Sequence, residues 1–443
     1  MTDPASPSPA RPAQTAARWG LFVLTLVNLF NYLDRYVVSA LVESLKKDPQ
    51  LHLSDAQLGA LATGFIVVYM LTSPIFGTLG DRGKRPRLIA MGVAVWSIAT
   101  AMGGLARSFA TLFTARSAVG VGEAAYGTVS PALLADYFPA ERRGRVFAVF
   151  FAAIPIGSAA GYVLGGLVDH RFGWRTAFFV AGLPGLLLAW LTSRLVDPPR
   201  GAQDAGSGAV HVHAHAGTGR TALAAYAALL RNVPYVLTVL GYAAYTFALG
   251  ALAFWTPAFL ERERGLERLD ATVQFGVIVV VTGFVGTFFG GWLGDRLLRR
   301  FRQSYLWVSG ASTLAAVPFA WIAFTAHDRT VYTAAIVAAE ILVFMSTGPV
   351  NSAIVNEVEP DRRATAVALS ILAIHLLGDV PSPPLIGFLS DASSLGRAML
   401  VLPVAFAASG LIWLFAAYRG ERGGRLTASP APSPSSPPPA SPT

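Results

Sequence analysis

The chain has 443 residues, of which 53% are hydrophobic and only 13% are charged, and its mean hydropathy is +0.52. This composition is too apolar for a soluble protein of that length and indicates a protein that crosses the membrane several times. The sequence contains no cysteine, which excludes disulfides, thiolate metal sites and a cysteine nucleophile. The net charge of +9 is spread over short loops instead of one basic face, so we predict no nucleic-acid partner.

Twelve apolar segments follow one another, each long enough to span about 30 Å of hydrocarbon. The predicted spans are 18–44, 54–80, 87–106, 109–136, 144–168, 174–195, 232–260, 270–293, 304–326, 330–356, 363–390 and 396–418. Residues 1–17 and 419–443, rich in Pro, Ala and Ser, are predicted to be disordered cytoplasmic tails. The polar stretch 196–231 is predicted to be a cytoplasmic linker between six-helix halves at 18–195 and 232–418. The sequence therefore predicts an all-α membrane protein with two pseudo-symmetric six-helix bundles.

Basic residues in the loops predict the orientation. An even number of spans places both termini on one side, and the short loops on that side carry more Arg and Lys per loop than the others. These residues are Arg82, Lys84, Arg85, Arg87, Arg142, Arg143, Arg145, Arg296, Arg299, Arg300, Arg302, Arg362 and Arg363. By the positive-inside rule we predict cytoplasmic termini in a multi-pass protein of a cell membrane, the bacterial inner membrane.

The two halves repeat each other at matching topological positions. Gly-x-Leu-Gly-Asp-Arg, which ends at Arg82 after the second span, recurs after the eighth span and ends at Arg296. Arg142 before the fifth span likewise matches Arg362 before the eleventh, at a similar offset along the chain. Duplicated six-helix units are an architecture of secondary transporters, with the binding site between the halves near the bilayer midplane.

The fourth predicted span carries two opposite charges inside its apolar stretch. Arg116, Gly120, Glu123 and Gly127 lie on one stripe of a helix. Insertion scales put a charge near the bilayer centre at roughly 2.5 to 3.5 kcal/mol, so both charges need partners or a water-filled cavity. A pair that only staples helices together is the alternative to a working polar site, and we predict the working site.

The first span adds a second polar group. Asn28, Asn31 and Arg35 lie on one face, Asp34 flanks them, and the depth matches that of Arg116, so a four-charge cluster is feasible. The alternative is that Asp34 and Arg35 neutralise each other as neighbours, although adjacent helical residues point about 100° apart.

These charges suggest a coupling mechanism. We predict that Asp34 and Glu123 carry protons, while Arg35 and Arg116 bind an anionic head group or hold the deprotonated acids. Substrate and proton would then compete for the same charges. Protons would be the coupling ion, and no other cofactor is predicted.

The second half contributes fewer ionisable residues. His375 and Asp379 share one face of the eleventh span and precede a Pro-rich break, which points to a binding site or gate. A membrane histidine is also often a structural hydrogen bonder. Glu340 lies in the tenth span. The residues predicted to bind substrate are Asn31, Arg35, Arg116, Tyr126, Glu340, His375 and Asp379.

The loop motifs are predicted to act as gates. Asp81 and Asp295, at helix ends on the side of the termini, are expected to cap a facing helix N-terminus or to pair with Arg142 or Arg362, and so to hold that side shut. Simple topological anchoring is the alternative. The predicted gating residues are Asp81, Arg82, Arg142, Asp295, Arg296 and Arg362. The alternating linker histidines, His211, His213 and His215, lack any fixed geometry, so we predict no metal site.

Several motifs resemble those of a known family. Gly-x-Leu-x-Asp-Arg at 77–82, with Arg85 and Arg87, resembles the loop signature of the major facilitator superfamily. Arg-x-x-x-Gly-x-Gly at 116–122 is similar to its fourth-helix motif, whose arginine is associated with proton coupling, and Gly-Trp-Arg at 173–175 also fits.

Three further segments resemble the spinster-like branch of that superfamily. They are Asn-Tyr-Leu-Asp-Arg at 31–35, the run from Gly-Glu-Ala-Ala-Tyr-Gly to Asp-Tyr-Phe-Pro at 122–139, and Ile-Pro-Ile-Gly-Ser at 154–158. The resemblance covers residues 18–418.

The resemblance implies a monomeric transporter, not an enzyme, that works by alternating access. It implies an amphiphilic substrate such as a lysophospholipid or a sphingosine-1-phosphate-like lipid, and guanidinium groups suit its phosphate because they bind it bidentately. A proton-coupled carrier of drugs or small organic anions is one alternative, and a non-transporting receptor or scaffold is another. Lys84 and Tyr162 depart from the superfamily's usual Gly and Pro, which leaves the transport direction open.

Overall fold

The structure, a computed structural model, describes residues 11–203, 227–358 and 363–427. These residues form twelve transmembrane helices, and the prediction of an all-α fold with two six-helix bundles is confirmed. The helices of the N-terminal half are α1 (Arg11–Ala40), α2 (Asp55–Arg82), α3 (Arg85–Gly103), α4 (Phe109–Tyr137), α5 (Ala140–Phe172) and the two-part α6 (Trp174–Gly182, Pro184–Ser193).

The C-terminal half contains six more helices, three of them interrupted. They are α7 (Val233–Arg262), α8 (Arg268–Leu297), α9 (Ser304–Thr325), α10 (Arg329–Phe344, Thr347–Asn356), α11 (Arg363–Ile374, a π-helical turn His375–Asp379, Ser382–Ala392) and α12 (Leu395–Met399, Val401–Thr427). Eleven of the twelve are apolar enough to cross a membrane by composition alone. The exception is α4, because Arg116 and Glu123 lower its hydropathy.

The helix ends differ in places from the predicted spans. The first helix begins at Arg11 and the last ends at Thr427, so helix extends into both predicted tails. The first span is broken after Ala40 and continues as a short helix, Val42–Lys47. Most of the predicted linker, including His211, His213 and His215, lies outside the described residues, as does Arg362.

Local sequence explains several helix starts. Ser54 and Ser108 each accept a hydrogen bond from the backbone three residues on, and the side chains of Gln57 and Thr111 bond back to the cap residue, which completes capping boxes. Gly173 has φ +81°, a conformation that glycine adopts without strain, and it allows the turn from α5 into α6.

The start of α6 is fastened to the loop before α2. Trp174 Nε1 and Arg175 Nη1 donate to the Asp48 carboxylate at 2.9 and 3.0 Å. Burial would raise the pKa of Asp48, but the hydrogen bonds from Trp174, from the loop backbone and from Arg175 outweigh it and hold the pKa below its usual range. The Gly-Trp-Arg motif therefore clamps one face of the N-terminal half.

Close helix packing builds each half. In the N-terminal half α1 packs on α5, and α4 on both α2 and α3; in the other half α12 packs on α7 and α9. The α1–α5 contact depends on small residues, because a Cβ at Gly157 or Gly161 would lie about 2.5 Å or less from the carbonyl oxygens of Leu29 and Leu33.

The two halves meet through α2–α11 and α5–α8. We call the membrane face that carries the chain termini the terminus side, and the other face the opposite side. Every hydrogen bond that joins two described residues across the halves lies toward the opposite side, from Lys47–Glu261 at the surface to Thr63–Val380 and Tyr162–Ala253 deeper in. The halves are therefore closed on the opposite side, and no hydrogen bond between described residues joins them on the terminus side.

We predict that Gly157→Ala lowers the thermal stability of the protein in detergent, because the added methyl group forces α1 away from α5. The expected loss is about 1–3 kcal/mol. Gly77→Ala is the matched control, since a Cβ at Gly77 meets nothing within 4 Å. Equal melting temperatures for the two variants would contradict this packing.

Candidate functional site

Four charged side chains from α1 and α4 form two ion pairs near the middle of the N-terminal half. Arg35 Nε donates to Glu123 Oε2 at 2.8 Å, and Arg116 Nη1 lies 3.4 Å from Asp34 Oδ2. Arg116 Nη2 also donates to the carbonyl oxygen of Arg35 at 3.2 Å. The structure thus brings the four predicted residues together, and the neighbours Asp34 and Arg35 pair with α4 instead of with each other.

The four charges differ in their exposure. Asp34 and Glu123 are 1% and 0% exposed, and Arg116 is 6% exposed, whereas the Arg35 side chain is 27% exposed. Thr100 of α3 fixes Asp34 by donating to Oδ2 at 2.9 Å. Both arginines line the cavity between the halves, and both acids lie behind them. An anion in the cavity would therefore meet the guanidinium groups before it met the carboxylates.

Each acid keeps one oxygen without a partner. Asp34 Oδ1 and Glu123 Oε1 are buried and accept no hydrogen bond from any described group. Because an unsatisfied buried acceptor costs roughly 1–3 kcal/mol, these oxygens are places where a proton can be held without breaking an existing bond. Each acid therefore has an oxygen that can accept a further hydrogen bond.

Aromatic rings hold the Arg35 guanidinium in place. It lies over Tyr32 and Phe65 at 4.9 Å each and near Tyr69 at 5.4 Å, and the Arg116 guanidinium also lies 4.9 Å from the Phe65 ring. Cation–π contacts of this kind stabilise a partly desolvated cation by up to about 2 kcal/mol. They position the guanidinium without neutralising its charge.

The cavity measures about 300 Å³ and lies between α1, α2 and α4 on one wall and α7 and α11 on the other. On the second wall His375 Nδ1 lies 2.9 Å from Asp379 Oδ1, within the π-helical turn of α11. Helices α7 and α11 approach each other closely here, because a Cβ at Gly250 of α7 would lie 2.6 Å from the Cβ of Asp379 of α11. Arg35 and Arg116 thus face an imidazole–carboxylate pair across the cavity.

Three residues predicted to bind substrate lie away from the cavity wall. Asn31 is 2% exposed within the N-terminal half. Tyr126 packs edge-on against Trp96 and donates to the Leu24 carbonyl oxygen at 3.1 Å, which gives it a structural role. Glu340 is buried inside the C-terminal half, where its Oε2 lies 2.7 Å from Thr282 Oγ1.

The sequence reasoning missed the contribution of α2. Ala62, Phe65, Ile66 and Tyr69 line the cavity from this helix. Their spacing of three, four and seven residues is the signature of one helix face, and it marks a stripe that could have been read from the sequence. The stripe contains no charged residue, and its apolar residues resemble those of any membrane-spanning helix.

An ion-pair network missed by the sequence reasoning closes the opposite side. Arg262 of α7 binds Glu43 at 2.5 Å and Asp55 of α2 at 2.5 Å, and Ser390 of α11 also donates to Asp55. Asp391 accepts from two backbone N–H groups at the N-terminus of α2, where a carboxylate is favoured. We call these five residues the opposite-side latch.

The gating pairs predicted for the terminus side are not formed among the described residues. Asp81, Arg82 and Arg142 are exposed. Asp295 instead accepts from the Tyr305 hydroxyl at 2.8 Å, and Arg296 lies over the Trp292 ring at 5.4 Å. Arg362 lies outside the described residues, and the gating role of this set stays a prediction.

Comparison with known proteins agrees with this architecture. The profile of the Major Facilitator Superfamily matches residues 24–378. The chain is 35% identical over 411 residues to protein spinster homolog 3 of Danio rerio, covering 88% of this chain and 80% of that protein. It is 32% identical over 380 residues to protein spinster of Drosophila melanogaster, covering 84% of this chain and 61% of that longer protein.

A solved structure shares the fold. It is a bacterial homolog of the human lysosomal transporter Spinster in an inward-facing, unoccupied conformation, with a TM-score of 0.78 and 25% identity, covering 95% of this chain and all of that one. Two six-helix halves around a charged central cavity define a transporter and not an enzyme, and the chain belongs to the major facilitator superfamily. Within that superfamily it is a spinster-like transporter.

We predict that Arg262→Met opens the opposite side, because it leaves the buried carboxylates of Glu43 and Asp55 without their main cation. Removing one member of a buried pair costs about 3–5 kcal/mol, less here because Arg262 is partly exposed. In this cysteine-free chain, Ser39→Cys on the cavity wall reports opening by its labelling with an impermeant thiol reagent from the opposite side. We expect labelling to become several-fold faster.

Arg264→Met is the matched control, since the contacts of Arg264 with described residues stay within its own half, at Ala323 and over the ring of Phe259. Unchanged labelling of Ser39→Cys in the Arg262 variant would show that the latch does not hold the opposite side shut.

Proposed function

We propose that this transporter couples proton movement to the transport of an amphiphile with a phosphate-bearing head group, such as a lysophospholipid or a sphingosine-1-phosphate-like lipid. The observation that carries the proposal is the double role of Arg35. This residue lines the cavity and at the same time is the cation paired with the fully buried Glu123.

Head-group binding follows from the chemistry of guanidinium. Arginine has five N–H donors in a fixed fork, and the bond from Arg35 Nε to Glu123 leaves donors for a phosphate. Arg116 lines the same wall and adds a second positive charge. Together they suit the phosphate of such a head group.

Coupling follows from competition for Arg35. The Glu123 carboxylate and the substrate phosphate both need this cation, so protonation of Glu123 releases Arg35 to the substrate. Deprotonation restores the ion pair and displaces the phosphate. Proton and substrate therefore favour each other's binding. This replaces the expectation that they compete, because the two competitors for Arg35 are the carboxylate and the phosphate. Asp34 stays paired with Arg116 and is the second candidate proton carrier.

The cavity size bears on the alternative substrate. About 300 Å³ encloses a head group, and the lipid tail would extend along the apolar lining formed by Phe65, Ile66 and Phe254. A cavity of this size also encloses a small organic anion completely, at the low end of ordinary ligand pockets. A proton-coupled carrier of drugs or small organic anions is therefore the second candidate.

The proposed orientation follows from the basic loops. The terminus side would be cytoplasmic in a cell membrane, the bacterial inner membrane, by the positive-inside rule. The conformation described above would then be inward-facing, and the fold similarity to an inward-facing spinster homolog supports this assignment. We propose that the transporter works as a monomer with protons as its coupling ion.

We predict that Glu123→Gln greatly weakens the pH dependence of transport, because the amide cannot release a proton or form the ion pair with Arg35. The measurement is uptake of a labelled lysophospholipid by reconstituted vesicles after a pH step. Asp270→Asn, an exposed acid in the first turn of α8, is the control. Full retention of the pH dependence in Glu123→Gln would exclude this residue as the proton carrier.

Arg35→Gln tests the contact of Arg35 with the head group. Loss of charge-assisted hydrogen bonds, worth roughly 1.5–3 kcal/mol, should weaken binding of a lysophospholipid about tenfold to a hundredfold. A lipid with an uncharged glycerol head is the ligand control and should be unaffected. If wild-type vesicles take up water-soluble organic anions faster than lysophospholipid, the second candidate is correct.

A further inference from the structure

Glu340 in α10 is a buried acid that the proposed mechanism does not use. It is 2% exposed and lies off the cavity wall. Its Oε2 is 2.7 Å from Thr282 Oγ1 of α8, and its Oε1 is buried with no partner among the described residues. A carboxyl group in this position needs either a cation or a proton.

No cation of the described part of the chain is within reach of Glu340. The only basic residue of α7 is Arg262, at its end on the opposite side. The titratable groups that face Glu340 are the Tyr162 hydroxyl from α5 and the Tyr245 hydroxyl from α7. These donate instead to the carbonyl oxygens of Ala253 and Val343, at 2.5 and 3.1 Å. The hydroxyl groups of Ser312 and Thr313 in α9 form hydrogen bonds with Ser346, which follows Glu340 in α10.

The Thr282 hydroxyl is shared between two acceptors. Its Oγ1 donates to Glu340 Oε2 at 2.7 Å and also lies 2.7 Å from the Ile278 carbonyl oxygen one turn back, so its single hydrogen serves only one of them at a time. An ionised carboxylate here would be an uncompensated buried charge, so this position favours the protonated acid.

Comparison of the two halves shows that this pair is an addition to the repeat. Ser108 and Asp328 are the cap residues that precede α4 and α10. Gly120 follows Ser108 by the same number of residues as Glu340 follows Asp328, so Gly120 and Glu340 occupy equivalent positions in the two halves. In the N-terminal half a Cβ at Gly120 would lie 3.3 Å from Val68 Cβ. Val68 is in turn equivalent to Thr282, because both stand equally far before the repeated Gly-Asp-Arg motif.

A close glycine–valine crossing in one half is therefore replaced by an acid–hydroxyl pair in the other. The acid lies one helical turn from the position equivalent to Glu123, on the same face. The C-terminal half thus carries an acid close to that depth and, among its described residues, lacks a counterpart of the arginine that pairs with Glu123.

We propose, on the basis of the proton-coupled function above, that Glu340 is a second proton-binding site of the transport cycle. It is loaded in the conformation described here and discharged when the opposite side opens. The Tyr162 ring packs on Phe275 of α8 at 5.0 Å, in the α5–α8 interface that must part for that opening. Parting removes the tyrosine that faces Glu340 and admits water. The substrate never touches Glu340, so its proton adds to the one carried by Glu123.

Infrared spectroscopy of the full chain in lipid nanodiscs tests the protonation directly. The wild type should show a carboxylic-acid C=O band that is absent in Glu340→Gln, shifted in Thr282→Val, and lost as the pH is raised. A band that Glu340→Gln leaves intact would show that Glu340 is ionised and would overturn the proposal. A Glu340 band that never titrates would also overturn it, since the acid would then only link α8 to α10.

The number of protons moved per substrate provides the second measurement. In vesicles, Glu340→Gln should still transport, because glutamine can donate to Thr282, but with one proton fewer per substrate than the wild type. An unchanged ratio would overturn the proposal. If the wild type moves no lysophospholipid and yet the Glu340 band titrates, the proposed substrate is wrong and the proton site stands.

Discussion

The whole arrangement depends on the cost of keeping charge in the middle of a membrane. Asp34, Arg116 and Glu123 are almost fully buried, and each is tolerable only because an opposite charge lies within hydrogen-bonding or ion-pair reach. Their net charge with Arg35 is zero, so any ion that enters the cavity changes a balanced set. In the proposed mechanism, a proton on an acid compensates the charge of a phosphate that binds an arginine.

The fold and the charged cluster could be predicted because their signals are local or periodic. Twelve apolar spans, the repeated loop motif and the stripe from Arg116 to Glu123 all follow from spacing. The opposite-side latch could not be found in this way, because Glu43, Asp55 and Arg262 are ordinary helix-end residues until two halves meet. For the same reason the sequence did not show that the Tyr126 hydroxyl donates to a backbone carbonyl oxygen of α1 and lies away from the cavity.

The latch and the terminus-side motifs lie on opposite faces of the membrane and differ in their contacts. On the opposite side Arg262 spans the halves and holds buried acids, whereas on the terminus side Asp81 and Arg142 are exposed to solvent. Ion pairs at the surface contribute little, whereas breaking a partly buried pair leaves a carboxylate without its cation. The latch therefore favours the conformation seen here. A conformation that is open on the opposite side would lose these contacts, and contacts formed by closure of the terminus side would have to replace them.

Within the cluster, the two arginines have different tasks. Arg116 is 6% exposed and is held by Asp34 and by the carbonyl oxygen of Arg35, so it fixes α4 against α1. Arg35 is the more exposed and has a single carboxylate partner among the described residues, with three rings to guide it. Because exchange of one partner for another is easiest where fewer bonds must break, the pair Arg35–Glu123 is the one that can switch.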